Sequence, residues 1–285
     1  MNYRHIYHAG NFADVFKHLL LTRALNHFNK KNKPYMVLDT HGGIGKYDLD
    51  SELAGKTEEF TQGISRLVEQ TNSPAFVQPY IESVKQLNDD NQLRFYPGSP
   101  WLIQALMRAD DRLIVCELHQ QDAVTLKQTL RPLSGSKKLE VLAPQDGYQA
   151  VSAKLPPAEK RGLVVIDPPF EQVDEFDRVI EALTQGLRRW QSGSYALWYP
   201  IKDPVKIANF HRDVTTIAGI PKTLVIELMI RSPDECAGLN GCGFVWVNPP
   251  FGLVNELDEI LAYISPLLAQ SEGAESHYRW LVEES

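Results

Sequence analysis

Four short runs, at residues 35–39, 112–117, 139–142 and 162–167, are dense in Val, Ile and Leu and show no polar alternation. A strand with one face in water alternates apolar and polar residues, so these runs belong to a parallel sheet covered on both faces. Three further β-rich runs follow at 194–199, 223–230 and 243–248. Most gaps among the first five carry helical periodicity, as at 174–190, where Phe176, Val179, Ile180, Leu183 and Leu187 share one side. That is the βαβ rhythm of a doubly wound α/β sheet. The last two runs are separated only by a short stretch containing Pro233, Gly238, Asn240 and Gly241, which predicts a hairpin and not a crossover. The expectation is a seven-stranded, mostly parallel sheet with one antiparallel strand.

The gap between Asp39 and Arg112 is too long for one crossover helix. Helical patterns at 56–70 and 75–87 predict a small helical subdomain inserted after the first strand, at 47–95, in a Rossmann-like body made of 1–46 and 96–285. Pro97-Gly98-Ser99-Pro100 reads as the turn and N-cap that open the delayed crossover helix. Residues 11–28 read as an amphipathic helix packed beside the sheet.

A length of 285 residues suits one large α/β domain or one domain with an insertion. No apolar run approaches the roughly 18 residues that would cross a bilayer, so no membrane association is expected. The first residues carry no apolar segment behind their positive charge and the three cysteines are scattered, which makes the cytoplasm the expected location. The net charge of −7 argues against a protein that grips nucleic acid mainly through phosphates. Short basic clusters such as Arg131 with Lys137 and Lys138, Lys160 with Arg161, and Arg188 with Arg189 read as solvated surface.

The first strand runs into Asp39-Thr40-His41-Gly42-Gly43-Ile44-Gly45 at the carboxyl edge of the sheet, where open α/β proteins bind ligands. Its spacing is similar to the acidic-x-Gly-x-Gly loop that holds S-adenosylmethionine, although such loops also serve nucleotides or simply turn the chain. Glu117, closing the second strand, stands where a carboxylate binds ribose hydroxyls in folds of this type, or is a surface glutamate. Asp146-Gly147 after the third strand is either a site for an adenine amino group or a bare turn.

Asp167-Pro168-Pro169-Phe170, after the fourth strand, matches the Asp/Asn/Ser-Pro-Pro-aromatic signature of amino methyltransferases. The chemistry suits those residues. An amine conjugated to a purine is a poor nucleophile because its lone pair is delocalised into the ring. Accepting its N–H groups, one at Asp167 and one at the Pro168 carbonyl, would localise the pair toward the methyl group. The prolines stiffen the loop, and Phe170 offers a π-face to an extruded base. A second copy, Asn248-Pro249-Pro250-Phe251, follows the last strand. Because that strand is antiparallel, its end is expected on the opposite sheet edge, which makes the second copy structural.

Several segments together carry a resemblance. They are Tyr3-Arg4-His5, His8-Ala9-Gly10-Asn11, Ala13-Asp14-Val15 and Lys17-His18, with Leu38-Asp39-Thr40-His41, Tyr96-Pro97-Gly98-Ser99-Pro100, Tyr195-Ala196-Leu197-Trp198-Tyr199-Pro200 and both Pro-Pro-Phe loops. In these the chain resembles, over nearly its whole length, the RlmJ family of bacterial 23S ribosomal RNA adenine-N6 methyltransferases. The resemblance implies the class I methyltransferase fold with strand order 3-2-1-4-5-7-6, S-adenosylmethionine as cofactor and 23S ribosomal RNA as partner. It implies that His18, His41, Ser99, Glu117, Asp146 and Asp167 line the cofactor beside Gly42, Gly43 and Gly147. Asp167 would be the catalytic residue, and Tyr3 and Arg4 would lie near the substrate. This chain departs from the family pattern at Phe170, where a tyrosine is expected, and at Gly43-Ile44, where two alanines are expected.

Three other functions compete. A DNA adenine or other amino methyltransferase would use the same loop, and only the resemblance selects ribosomal RNA, best reached before subunit assembly. A metallohydrolase would need ligand spacings that His5, His8, His18, His41 and the Cys236–Cys242 pair do not supply, so no metal is expected. A non-catalytic RNA-binding module fits poorly with the negative charge. No obligate protein partner is indicated.

Overall fold

The computed structural model of the chain describes residues 4–88, 92–131, 138–232 and 238–283. Its first helix is α1 (Phe12–Asn29), and the strands and helices of the parallel part are β1 (Met36–Asp39), α4 (Ser99–Leu106), β4 (Arg112–Cys116), α5 (Gln120–Leu130), β5 (Lys138–Leu142), α6 (Gly147–Lys154), β6 (Gly162–Ile166), α7 (Glu175–Arg189) and β7 (Ser194–Ile201). Between β1 and α4 lie β2 (Lys46–Asp48), α2 (Ile64–Val68), α3 (Gln78–Lys85) and β3 (Phe95–Pro97). The chain continues through α8 (Pro204–Thr215), β8 (Thr223–Met229), β9 (Gly241–Val247), α9 (Leu257–Leu268) and β10 (Glu275–Val282).

The main sheet runs β10-β8-β9-β7-β6-β1-β4-β5. Seven of these strands reproduce the expected order 3-2-1-4-5-7-6, with β9 antiparallel to both β7 and β8. The expectation of seven strands with one reversed needs correcting: β10 is an eighth strand, antiparallel to β8. Its exposed positions carry Glu275, His277 and Arg279, the charged pattern of an edge strand, so the apolar density that reveals central strands is missing. The β8–β9 hairpin is present, although residues 233–237 of its connection, Pro233 and Cys236 included, lie outside the described residues.

The sheet carries a core on each face. One holds Leu38, Val164, Ile166 and Leu197 against α6, α7 and α8, and the other holds Val37, Val165, Ala196 and Trp246 against α1, α4 and α9. Asn11 caps α1 by accepting the backbone N–H groups of Ala13 and Asp14 at 2.9 and 3.0 Å. The reading of α1 as amphipathic does not hold, since its residues are buried nearly all round, with Phe16, Leu19, Leu20 and Leu21 at 0% exposure. The segment after β2 covers its outer side: Ile64, Leu67, Val77, Tyr80, Ile81 and Val84 share the same core.

That segment is less helical than its pattern suggested. The stretch read as one helix at 56–70 is two 3₁₀ turns, Ala54–Lys56 and Glu59–Gln62, followed by the five-residue α2. β2 and β3 pair antiparallel, Lys46 opposite Pro97, and bring the two ends of the segment together beside β1. No helix among the described residues is long and apolar enough to cross a membrane.

Candidate active site

The carboxyl ends of β1, β4, β5, β6 and β7 open onto a cleft of about 1120 Å³. His18, His41, Gly42, Gly43, Ser99, Glu117, Asp146, Gly147, Asp167 and Pro168 all line it, so the structure gathers nearly every predicted site residue in one place. Arg4 lines it as well, and Tyr3 lies outside the described residues.

The glycine loop is stitched between its neighbours. The Thr40 N–H donates to the Val165 carbonyl at 3.1 Å and the Gly42 N–H to the Cys116 carbonyl at 2.8 Å, fixing the loop to β6 and β4. Gly43 has φ +59°, and a Cβ there would stand 2.3 Å from the Tyr47 hydroxyl. Glu117 accepts the Gly43 N–H at 2.9 Å and the His119 N–H at 2.7 Å. Burial pushes its carboxyl up, and these two donors pull the other way. Asp146 caps α6 through the Tyr148 N–H at 2.8 Å. Gly147 is required by contact, since a Cβ would lie 2.0 Å from the Thr40 carbonyl oxygen.

Asp39, absent from the predicted set, lies fully buried beneath this loop and accepts the Ser99 hydroxyl at 2.7 Å. Burial pushes its carboxyl up to about 6 against the pull of Ser99. The two histidines are neutral. Burial lowers His41 to about 4 and His18 to about 3. His18 Nδ1 is 2.6 Å from the Tyr96 hydroxyl, itself 2.7 Å from that of Tyr80, whereas His18 Nε2 is buried with no partner among the described residues.

Asp167 ends an ion chain that sequence reasoning missed. Lys17 Nζ lies 2.6 Å from Asp167 Oδ2 and 2.9 Å from Asp14 Oδ1, and His5 Nε2 lies 2.9 Å from Asp14 Oδ2. Burial alone would strip the Lys17 proton, but Asp14 and Asp167 hold its ammonium well above the ordinary lysine range. Burial would likewise raise Asp14, yet His5 and Lys17 keep its carboxyl well below the usual range. The available signal was the i, i+3 spacing of Asp14 and Lys17 inside an apolar helix, where a solvated lysine has nowhere to go.

Phe170 is half-buried at the end of the loop. It takes φ +49°, which a bulky residue rarely adopts, and its ring packs 4.8 Å from Phe176 and 5.9 Å from Trp198 without lining the cleft. In the second copy the left-handed residue is instead Asn248, also at φ +49°. Its amide donates to the Gln191 and Gly193 carbonyls at 2.9 Å each, just before β7 begins, which puts it at the opposite edge of the sheet. Among the described residues no group of three His, Cys, Asp or Glu side chains could hold a metal ion.

The chain is similar to known proteins across its length. Residues 32–282 match the family model described as "Ribosomal RNA large subunit methyltransferase D, RlmJ". Ribosomal RNA large subunit methyltransferase J of Escherichia coli (strain K12) is 36% identical over 284 residues, which is 100% of each chain. The Haemophilus influenzae protein of the same name is 39% identical over 284 residues, covering 99% of this chain and 98% of that one. Among solved structures, the Legionella pneumophila protein LPL1258 superposes with a TM-score of 0.85 at 35% identity, covering 96% of this chain and 97% of that one.

Proposed function

Because this chain belongs to the RlmJ family of ribosomal RNA large subunit methyltransferases, we propose that its cleft methylates the exocyclic N6 amine of an adenine in 23S ribosomal RNA, using S-adenosylmethionine, before the subunit is assembled. The observation that carries the chemistry is the Lys17–Asp167 contact of 2.6 Å at the carboxyl end of β6. With Oδ2 engaged by a buried ammonium, Asp167 is an acceptor whose other oxygen remains for an amine N–H. The Pro168 carbonyl takes the second N–H. Holding both localises the amine lone pair, and positioning of this kind is a large share of what an enzyme supplies.

The neighbouring residues suit the cofactor's polar groups. Glu117 can accept from a ribose diol, Asp146 from an adenine amino group, and His18 brings a buried nitrogen without a partner among the described residues. S-adenosylmethionine supplies an electrophilic methyl group on sulfur. The chain's part is to align the amine with it and to accept the N–H groups.

Residues 47–95 form an inserted unit in this reading, with 1–46 and 96–285 as the methyltransferase body. Tyr47, Asp48, Ser51, Leu53, Glu59 and Phe95 line the cleft, which makes the insertion one wall of the RNA path. Free RNA suits a chain of net charge −7 that cannot rely on phosphate attraction.

Mass spectrometry of large-subunit RNA from cells lacking the gene tests the proposal. One adenine is expected to lose a methyl group and to regain it from the parent gene but not from Asp167→Ala. An unchanged RNA, or a lost methyl on DNA instead, would overturn it.

A further inference from the structure

A neutral imidazole carries one proton on two nitrogens, and the nitrogen that holds it decides whether the ring offers a ligand a donor or an acceptor. His18 is neutral in this fold, since burial lowers it to about 3. It lines the cleft, and its Nε2 has no partner among the described residues, whereas its Nδ1 meets a chain of hydroxyls. The Tyr96 hydroxyl, from β3, lies 2.6 Å from Nδ1, and the Tyr80 hydroxyl, from α3, lies 2.7 Å from that of Tyr96. His18 is 1% exposed and both tyrosines 0%. Burial pushes both phenols up, so each keeps its proton.

Counting hydrogens gives the chain a direction. The Tyr80 hydroxyl has no other partner among the described residues. Were Nδ1 to donate to Tyr96, the Tyr96 hydrogen would go to Tyr80, and the Tyr80 hydrogen would be left in the core without an acceptor, which is the costly way to bury a hydroxyl. With Tyr80 donating to Tyr96 and Tyr96 to Nδ1, both hydroxyl hydrogens are used and the ring proton sits on Nε2. We infer, on the proposed reading that this nitrogen faces the cofactor, that Tyr96 is a positioning residue which fixes His18 as the Nε2–H tautomer, so that the ring offers S-adenosylmethionine a hydrogen-bond donor. Tyr80 sets the direction from the far end. It belongs to the segment between β2 and β3, which therefore reaches the cofactor's histidine as well as walling the cleft.

Nitrogen-15 NMR of the full chain, with the His18 ring assigned by its loss in His18→Gln, reads the tautomer directly. The parent is expected to carry the proton on Nε2, with and without S-adenosylhomocysteine. A proton on Nδ1 overturns the inference. Two variants then remove one buried hydroxyl each. Tyr96→Phe is expected to release the tautomer and to weaken S-adenosylhomocysteine binding about tenfold by titration calorimetry. Tyr80→Phe leaves Tyr96 donating to Nδ1, so it is expected to keep the Nε2–H form and to stay within about threefold of the parent. Equal losses of affinity in the two variants, or parental affinity in folded Tyr96→Phe, would mean that the tyrosines only fill the core, and overturn the inference. If Tyr96→Phe does not fold, the tautomer of the parent decides alone. Failure of the proposed function is read separately, on the parent chain, as absence of methyl transfer to any adenine.

Discussion

The Lys17 ammonium is clamped between Asp14 and Asp167, 2.9 Å from one carboxylate and 2.6 Å from the other, and so ties the middle of α1 to the end of β6. Lys17 is 5% exposed and Asp14 2%. The pairing therefore neutralises buried charge and joins α1 to the loop after β6.

Lys17→Met leaves two carboxylates without their shared cation, and removing one partner of a buried pair typically costs about 3–5 kcal/mol. Urea unfolding at neutral pH is expected to show a loss at the lower end of that range, because His5 still reaches Asp14 at 2.9 Å. Methyl transfer is expected to fall by much more than substrate affinity. A variant that kept parental turnover would show that Asp167 works without the clamp.

Asp167→Ala is expected to abolish methyl transfer while S-adenosylhomocysteine affinity stays within about tenfold, or 1.4 kcal/mol. Lys17 keeps Asp14 as its partner, so the fold loses only one arm of the chain. Titration calorimetry beside a turnover assay separates the two roles, and equal losses in both would reassign Asp167 to the cofactor alone.

Asn248→Ala tests the duplicated loop. The amide satisfies the Gln191 and Gly193 carbonyls, and alanine tolerates φ +49° less well than asparagine, so a stability loss of about 1–3 kcal/mol is expected. Turnover by the folded variant is expected to remain within a few-fold of the parent. Collapse of turnover at undiminished stability would mean that the two loops had been assigned the wrong way round.

What the residues disclosed follows from where each sits. β1, β4 and β6 were legible because strands buried on both faces must be apolar throughout, and the parallel order followed from the helices between them. β10 was not, since its open face carries the charges of an edge. The Asp-Pro-Pro-Phe loop was legible as a motif, but nothing in four residues says that Phe170 takes a left-handed backbone. Asp39 and Lys17 are long-range facts, because a carboxylate beneath a glycine loop and a lysine inside an apolar helix acquire meaning only when Ser99 arrives at the start of α4 and Asp167 at the end of β6. Glu117 and Asp146 were singled out by position alone, and in the structure each carboxylate accepts a backbone N–H beside the cleft.

Acid is expected to destabilise the fold through its buried neutral histidines. Burial lowers His211 and His41 to about 4 and His18 to about 3, below the ordinary value near 6.5. A group whose folded pKa is depressed stabilises the fold fully above the unfolded value and loses that contribution as pH falls. Each such histidine therefore contributes a slope of about 1.4 kcal/mol per pH unit between roughly pH 6.5 and its folded value. Asp39 opposes them, because its folded carboxyl is raised to about 6 and holds a proton that the unfolded chain has released. Around pH 5 the net uptake on unfolding from these four groups is then about two protons. His211 sits between the Tyr199 hydroxyl at 2.9 Å and Arg279 at 3.0 Å, with Glu227 nearby. His211→Gln keeps a polar group there without a titrating one, so its stability curve between pH 6.5 and 4 is expected to be shallower than the parent's by about one proton. Urea unfolding at half-unit pH intervals measures that slope. An unchanged slope would mean that His211 is already charged in the folded chain.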